Sequence, residues 1–204
     1  GENLLYKQGA LVKENLATGD DGSATLKGLY LGTYRVTEMK APTNLICAGE
    51  SKEVTLSYAG QNVEVAVGDL TFVNDRQKAK VFAEKQDKDT KKSLAEAVFG
   101  LYAGKDIKNQ DGQVVVAKDT LIAKATTDEM GSGAFAADIP NNNSYYVKEL
   151  QAPANYFRNS DEVYSFDFQY TNDKEATVSF SHTFSNEHVS ASIHLVKRIR
   201  KPEM

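Results

Sequence analysis

Lysine, glutamate and asparagine recur in this chain at matching positions on faces that should be apolar: Lys85 and Lys197, Glu38 and Glu149, Asn74 and Asn186. Reading the strands with period two puts Lys85 beside Val81 and Ala83, Lys197 beside Ile193 and Leu195, Asn74 beside Phe72, and Asn186 beside Phe184. Tyr34, Val36 and Glu38 share one face, as do Tyr145, Val147 and Glu149. Each of these polar groups is costly to bury alone. Together they can react, because an amine is a nucleophile, a side-chain amide carbonyl is a target, and a carboxyl group can carry the proton between them.

The matching positions come from a duplication. Tyr34 to Pro42 reads YRVTEMKAP and Tyr145 to Pro153 reads YYVKELQAP. A shift of 111 residues superposes Gly1 to Pro42 on Gly112 to Pro153 without a gap, and pairs Lys7 with Lys118 and Lys13 with Lys124. A shift of 112 relates Thr71-Phe72-Val73-Asn74 to Thr183-Phe184-Ser185-Asn186, and Val81, Ala83 and Lys85 to Ile193, Leu195 and Lys197. Solenoid repeats are shorter, so the repeating unit is a domain. The expected organisation is a first domain over 1–77 lacking its opening strands, a complete domain over 78–190, and a segment over 191–204 that resembles the start of a following domain.

Short runs rich in β-branched and aromatic residues dominate: Ala97 to Tyr102, Gln113 to Ala117, Ser144 to Lys148, Glu162 to Phe168, Thr177 to Phe184, and a further strand over Ser192 to Lys197. Turn clusters separate them, such as Asp20-Asp21-Gly22 and Asn109-Gln110-Asp111-Gly112. This spacing predicts an all-β chain of sandwich or barrel domains, with at most a turn or two of helix near Thr90 to Ala97. With Tyr and Phe supplying the large apolar groups, each full unit of about 110 residues can bury a core.

The net charge of −4 gives no support to nucleic-acid binding. No apolar run is long enough for a membrane helix and no signal peptide opens the sequence, so no membrane contact is expected of this segment. Cys47, the sole cysteine, cannot form an intrachain disulfide and is expected to be a small half-buried hydrophobe. His182, His188 and His194 fall on different expected elements, and the aspartates read as turn residues, so no metal site is assigned. No cofactor pattern is present either.

The xYxVxExxAP pattern, the opening VFAEKQDKDTKKSLAEAVFGLYA and a closing Phe-x-Asn resemble the CnaB-type, or prealbumin-like, domains of Gram-positive pilins and cell-wall-anchored surface adhesins. The resemblance covers nearly the whole chain, and the second unit carries every element in order. It implies tandem β-sandwiches, an extracellular, wall-attached location, and a structural stalk whose partners are neighbouring domains of the same surface protein. It also implies a spontaneous intramolecular bond between Lys85 and Asn186 promoted by Glu149. Glu149 would hydrogen-bond the Asn186 carbonyl, polarise it and pass a proton to the departing ammonia. This is a single autocatalytic event, so no enzyme with turnover is expected.

Glu38 is the equivalent promoter in the first unit, where Asn74 has no lysine in place. Lys197 of a neighbouring copy, brought in by strand exchange, is one candidate for that vacancy. The second unit departs from the family-like Gly28-Leu29-Tyr30-Leu31-Gly32 with Asp138-Ile139-Pro140-Asn141-Asn142-Asn143, and the tail carries Arg198-Ile199-Arg200-Lys201 where QDKD follows Lys85. The alternative reading, from another class, is a module that contacts a host protein or glycan through loops at the sandwich ends.

Overall fold

The structure is a computed structural model that describes residues 5–63 and 66–198. It divides into two compact units: Gly1–Thr37 with Glu50–Phe72, and Glu38–Gly49 with Val73–Met204. In the first unit, β1 (Gly32–Thr37) pairs antiparallel with β2 (Ser51–Leu56). Hydroxyl pairs Thr33–Thr55 (2.9 Å) and Thr37–Ser51 (2.7 Å) tie the exposed face of this ribbon. The face expected to be inward is only partly covered, with Tyr34 half-buried and Val36 38% exposed. Among the described residues, this unit has no second sheet to close over it.

Among the described residues, the second unit holds nine strands: β3 (Lys78–Asp87), β4 (Val98–Ala103), β5 (Ile107–Lys108), β6 (Val114–Val116), β7 (Leu121–Thr126), β8 (Ser132–Ala134), β9 (Asn143–Gln151), β10 (Val163–Phe168) and β11 (Thr177–Asn186). They form a four-stranded sheet in the order β10-β9-β4-β7, a three-stranded sheet in the order β11-β3-β8, and a small β5-β6 ribbon. The chain is all-β, as its spacing predicts. Alternation puts Val81 and Ala83 of β3, Phe99 and Leu101 of β4, and Tyr145 and Val147 of β9 into one core shared by the two larger sheets.

β3 and β11 run parallel, with Lys85 opposite Phe184 and Asp87 opposite Asn186. A parallel pair needs a long crossover. Here the crossover is the rest of the unit. Gln77, fully buried, fixes the start of β3 by donating to Thr171 Oγ1 (2.6 Å) and the Glu175 carbonyl (2.7 Å) and accepting from the Thr171 amide (3.2 Å).

The expected helical turn near Thr90 to Ala97 does not form. The Asp87 amide donates to the Lys92 carbonyl (2.8 Å) and the Leu94 amide to the Lys85 carbonyl (3.0 Å), folding this segment back along β3. Lys91 and Glu96 take φ of 61° and 65°, which a right-handed helix does not allow. The strand expected over Ser192 to Lys197 is also absent, and these residues lie exposed without a ladder partner.

The unusual Asp138-Ile139-Pro140 segment has a clear role in packing. Ile139 is buried, its carbonyl accepts from Arg76 (2.6 Å), and Asp138 pairs with Arg76 (2.6 Å) and Lys78 (3.3 Å). Tyr145 OH donates to the Pro140 carbonyl (2.6 Å). Because Leu101 is fully enclosed at the centre of the core, Leu101→Ala should lower stability by about 2–5 kcal/mol in denaturant unfolding followed by circular dichroism.

Candidate functional site

Register and alternation carry Lys85, Glu149 and Asn186 to one point inside the second unit. Lys85 projects from β3 and Asn186 from β11, two residues beyond the one opposite Lys85, so both face the same side of their sheet. Glu149 comes from β9 of the facing sheet, opposite Phe99 of β4. All three are at most 2% exposed.

Lys85 Nζ donates to Asn186 Oδ1 at 2.6 Å and lies 3.1 Å from Glu149 Oε1. Asn186 Nδ2 donates to the same Glu149 oxygen at 2.9 Å. The second carboxylate oxygen accepts from the Asn159 amide at 3.2 Å. Glu149 therefore faces the amide nitrogen and the amine; it does not hydrogen-bond the amide carbonyl, which is the role the family resemblance implies for it. One oxygen reaches both the nucleophile and the group that would leave.

The walls are aromatic. Phe99 and Phe184 pack against each other with centroids 4.7 Å apart, and the Lys85 amine lies 5.7 Å and 5.9 Å from their ring centres. Burial in this setting pulls the Lys85 pKa below its ordinary value, while the Glu149 carboxylate works in the opposite direction. A lower pKa raises the fraction of free amine, the form that can attack a carbonyl.

Several supporting residues carry no sequence signal of this role. Gly131 has φ +76°, its carbonyl accepts from the Lys85 amide at 2.7 Å, and a Cβ there would stand 2.5 Å from the Lys85 carbonyl oxygen. Asp87, also buried, closes the end of the site. Its carboxylate accepts from the amides of Asp89 (2.9 Å) and Thr90 (2.7 Å) and from Tyr156 OH (3.0 Å), and His188 Nε2 lies 3.2 Å away. The Phe157 amide donates to the Glu187 carbonyl (2.9 Å), pinning the chain just past Asn186.

A second pairing of the same kind lies within the same compact unit. Asn74 Nδ2 donates to both oxygens of Glu38, at 2.9 Å and 2.8 Å, and to the Ile46 carbonyl at 3.1 Å. Both residues are half-buried. Among the described residues no lysine is hydrogen-bonded or ion-paired to either side chain. Cys47 is buried, more fully than its place near a loop predicts, and its Sγ–H points to the Glu38 carbonyl at 3.5 Å. Lys197, with Ile193 and Leu195, is exposed. Of the histidines, His182 meets Glu162 (3.1 Å) and His188 meets Asp87, so they belong to different contacts.

The family model described as SpaA, a prealbumin-like fold domain, matches residues 3–71 and 79–183. Among solved structures, the chain is similar to the Bacillus anthracis TIE protein, with 26% identity and a TM-score of 0.51 over 84% of this chain and 28% of that one. It also matches the group B streptococcus pilus 2b backbone protein, with 19% identity and a TM-score of 0.42 over 74% of this chain and 52% of that one. A third match is the shaft pilin SpaA of Lactobacillus rhamnosus GG, with 16% identity and a TM-score of 0.39 over 87% and 68% of the two chains. The chain thus spans only about a quarter of the first of these and about half of the second. Comparison with curated proteins gave no match.

The amide donors, led by the Thr90 amide, hold the Asp87 carboxyl down at about 2, against 3.8 for a free aspartate. A depressed carboxylate pKa adds stability that is fully present above the unfolded value and is lost as pH falls through the folded one. Acid unfolding should therefore show a loss of stability between about pH 4 and pH 2 that Asp87→Asn lacks, measured as denaturant midpoint against pH.

Proposed function

The chain belongs to the SpaA prealbumin-like fold domain family, and on that premise we propose that it is a stalk segment of a Gram-positive surface pilin or adhesin, locked by a spontaneous amide bond between Lys85 and Asn186. The observation that carries this reading is the enclosed contact of the Lys85 amine, the Asn186 amide and a Glu149 oxygen that touches both. The alternation of β3, β9 and β11 delivers these groups together only when the sandwich has closed. Folding then supplies the proximity, which can lower a barrier by about 7–11 kcal/mol.

In the proposed reaction, Lys85 gives a proton to Glu149 Oε1 and its free amine attacks Cγ of Asn186. A C–N bond forms, the Cγ–Nδ2 bond breaks, and Glu149 returns the first proton to the departing nitrogen and takes the second from Nζ, so that ammonia leaves, the new amide is neutral and Glu149 ends protonated. Lys85 loses the cost of a buried ammonium and becomes part of a neutral amide. The event occurs once, in keeping with a structural family and not a turnover enzyme.

The mechanical consequence follows from topology. The two residues are 101 apart in sequence but sit on adjacent parallel strands at the beginning and end of the unit. Tension entering along β3 would cross the bond and leave from the end of β11, bypassing β4 to β10. By analogy with a disulfide closing a loop of about 100 residues, the bond adds roughly 4–5 kcal/mol by restricting the unfolded chain. Such a link suits a load-bearing segment on the cell surface, joined to neighbouring domains of the same protein.

Intact-mass measurement of the denatured protein should show a deficit of about 17 Da, one ammonia, with tryptic fragments joined through Lys85 and Asn186. Glu149→Ala and Asn186→Ala should each restore the full mass and lower Tm by at least about 15 °C. Full mass in the unsubstituted protein, after folding is verified by circular dichroism, would end the crosslink reading.

A further inference from the structure

We propose that Glu162 and His182 are positioning residues for the bond between Lys85 and Asn186: acting through Asn159, they hold the Glu149 carboxylate in the orientation that lets one oxygen serve both reactants. This rests on the reading of Lys85, Glu149 and Asn186 as a reacting set.

The first ground is what the reaction asks of Glu149. Its Oε1 must face the Lys85 amine and the Asn186 amide at once. Rotation about the last side-chain bond of a glutamate is soft, so enclosure alone does not fix that orientation. Among the described residues, the one hydrogen bond on Oε2 comes from the Asn159 amide, at 3.2 Å. Yet residues 157–160 are exposed and belong to no strand. Such a stretch can orient an enclosed carboxylate only if it is itself held against the sandwich.

The second ground is that it is held at both ends. At the near end the Phe157 amide donates to the Glu187 carbonyl (2.9 Å). At the far end the hold is a second carboxylate: Asn159 Nδ2 donates to Glu162 Oε2 at 3.3 Å, and Glu162 Oε1 lies 3.1 Å from His182 Nε2. A carboxylate only accepts, so Nε2 carries the proton, as one tautomer of the neutral ring also does. The latch does not need a charged histidine.

The third ground is the anchor. His182 shares one face of β11 with Phe184 and Asn186, stacks on Tyr164 of β10 (centroids 5.0 Å, planes 7° apart) and meets Phe184 edge-on at 4.7 Å. β10 and β11 are edge strands of the two sheets, and Phe166 on Phe180 (4.4 Å) continues the same seam. A line of contacts therefore runs from this seam through His182, Glu162 and Asn159 to the outer oxygen of Glu149.

The charge on Glu162 gives a sign that separates positioning from electrostatics. Burial lowers the Lys85 pKa, while Glu149 and, more weakly, Glu162 push it back up. A negative charge that keeps the proton on Lys85 opposes attack, so removing that charge alone should quicken the reaction. Removing the latch should slow it.

The test follows bond formation in the full chain made by pulse-labelled cell-free synthesis, with samples quenched in denaturant and the fraction lacking about 17 Da read by intact mass. Glu162→Ala removes charge and latch together and should lengthen the half-time about 10-fold or more, as should His182→Ala. Glu162→Gln keeps an acceptor for Asn159 without the charge, and should rescue the rate to at least that of the unsubstituted chain. His182→Gln keeps a donor near the Nε2 position, and should recover most of the rate. In an Asn186→Ala background, where no bond forms, Glu162→Ala should shift Tm by no more than about 3 °C, which separates the slowing from a general loss of folding. A Glu162→Ala chain as fast as the unsubstituted one, a Glu162→Gln chain as slow as Glu162→Ala, or a Tm loss well beyond that figure would each overturn the positioning role and leave the internal bond standing. An unsubstituted chain that never loses the mass of ammonia would end the internal bond, and the positioning role with it.

Discussion

A primary amine enclosed between two phenylalanine rings has few stable options: it must lose its proton, pair with a carboxylate, or be consumed. Lys85 is held in that position by register, since Val81 and Ala83 lie on the same face of β3 and a slip of one residue would turn all three outward. Taking an ammonium out of water costs several kcal/mol even after relaxation. The facing sheet answers with one carboxylate and the neighbouring strand with one amide. Every other feature of the site, from the Asn159 amide on Glu149 to the close approach of Gly131, fixes where those two answers stand.

The parallel pairing of β3 and β11 makes the constraint possible. In an all-antiparallel arrangement of the same strands, the ends of β3 and β11 that carry Lys85 and Asn186 would lie at opposite edges of the sheet. Parallel pairing puts them side by side, at the cost of closing a loop as long as the unit itself. That cost is set against a core of interleaved aromatic and aliphatic side chains, and the stacking of Phe166 on Phe180 joins β10 to β11 directly. Core and polar site are thus two uses of one alternation, in which inward positions near the ends of β3, β9 and β11 carry Lys85, Glu149 and Asn186 where the preceding ones carry hydrocarbon.

Alternation is also what made so much legible in the sequence. Lys85, Glu149 and Asn186 each follow two positions after a residue that belongs in a core, and a duplicated Glu-x-x-Ala-Pro pattern marks the carboxyl as part of a design. The strand of Thr177 to Phe184 needed only two more residues to reach its observed end. What failed or went unseen depends on contacts across the chain. Thr90 to Ala97 has helix-compatible residues, but hydrogen bonds back to β3 decide its path. Gly131 looks like any turn glycine until the Lys85 carbonyl is found against it. Asp87 reads as a turn residue, but it ends β3, and its carboxylate accepts from the amides of the turn that follows. The Asn after each Ala-Pro could have been noticed, since it recurs at the same spacing and asparagine is among the few residues that accept a left-handed turn.

The two glutamate–asparagine pairs separate what positions an amide from what makes it reactive. Hydrogen bonding orients Asn74 as firmly as Asn186, with two contacts to carboxylate oxygen in one case and one in the other. An oriented amide is still inert, because amide carbonyls resist water and a half-buried carboxylate alone offers no nucleophile. The strand that brings a lysine also brings its apolar neighbours, and these remove water from the amine as they dock. Nucleophile and desolvation therefore arrive together, on one element.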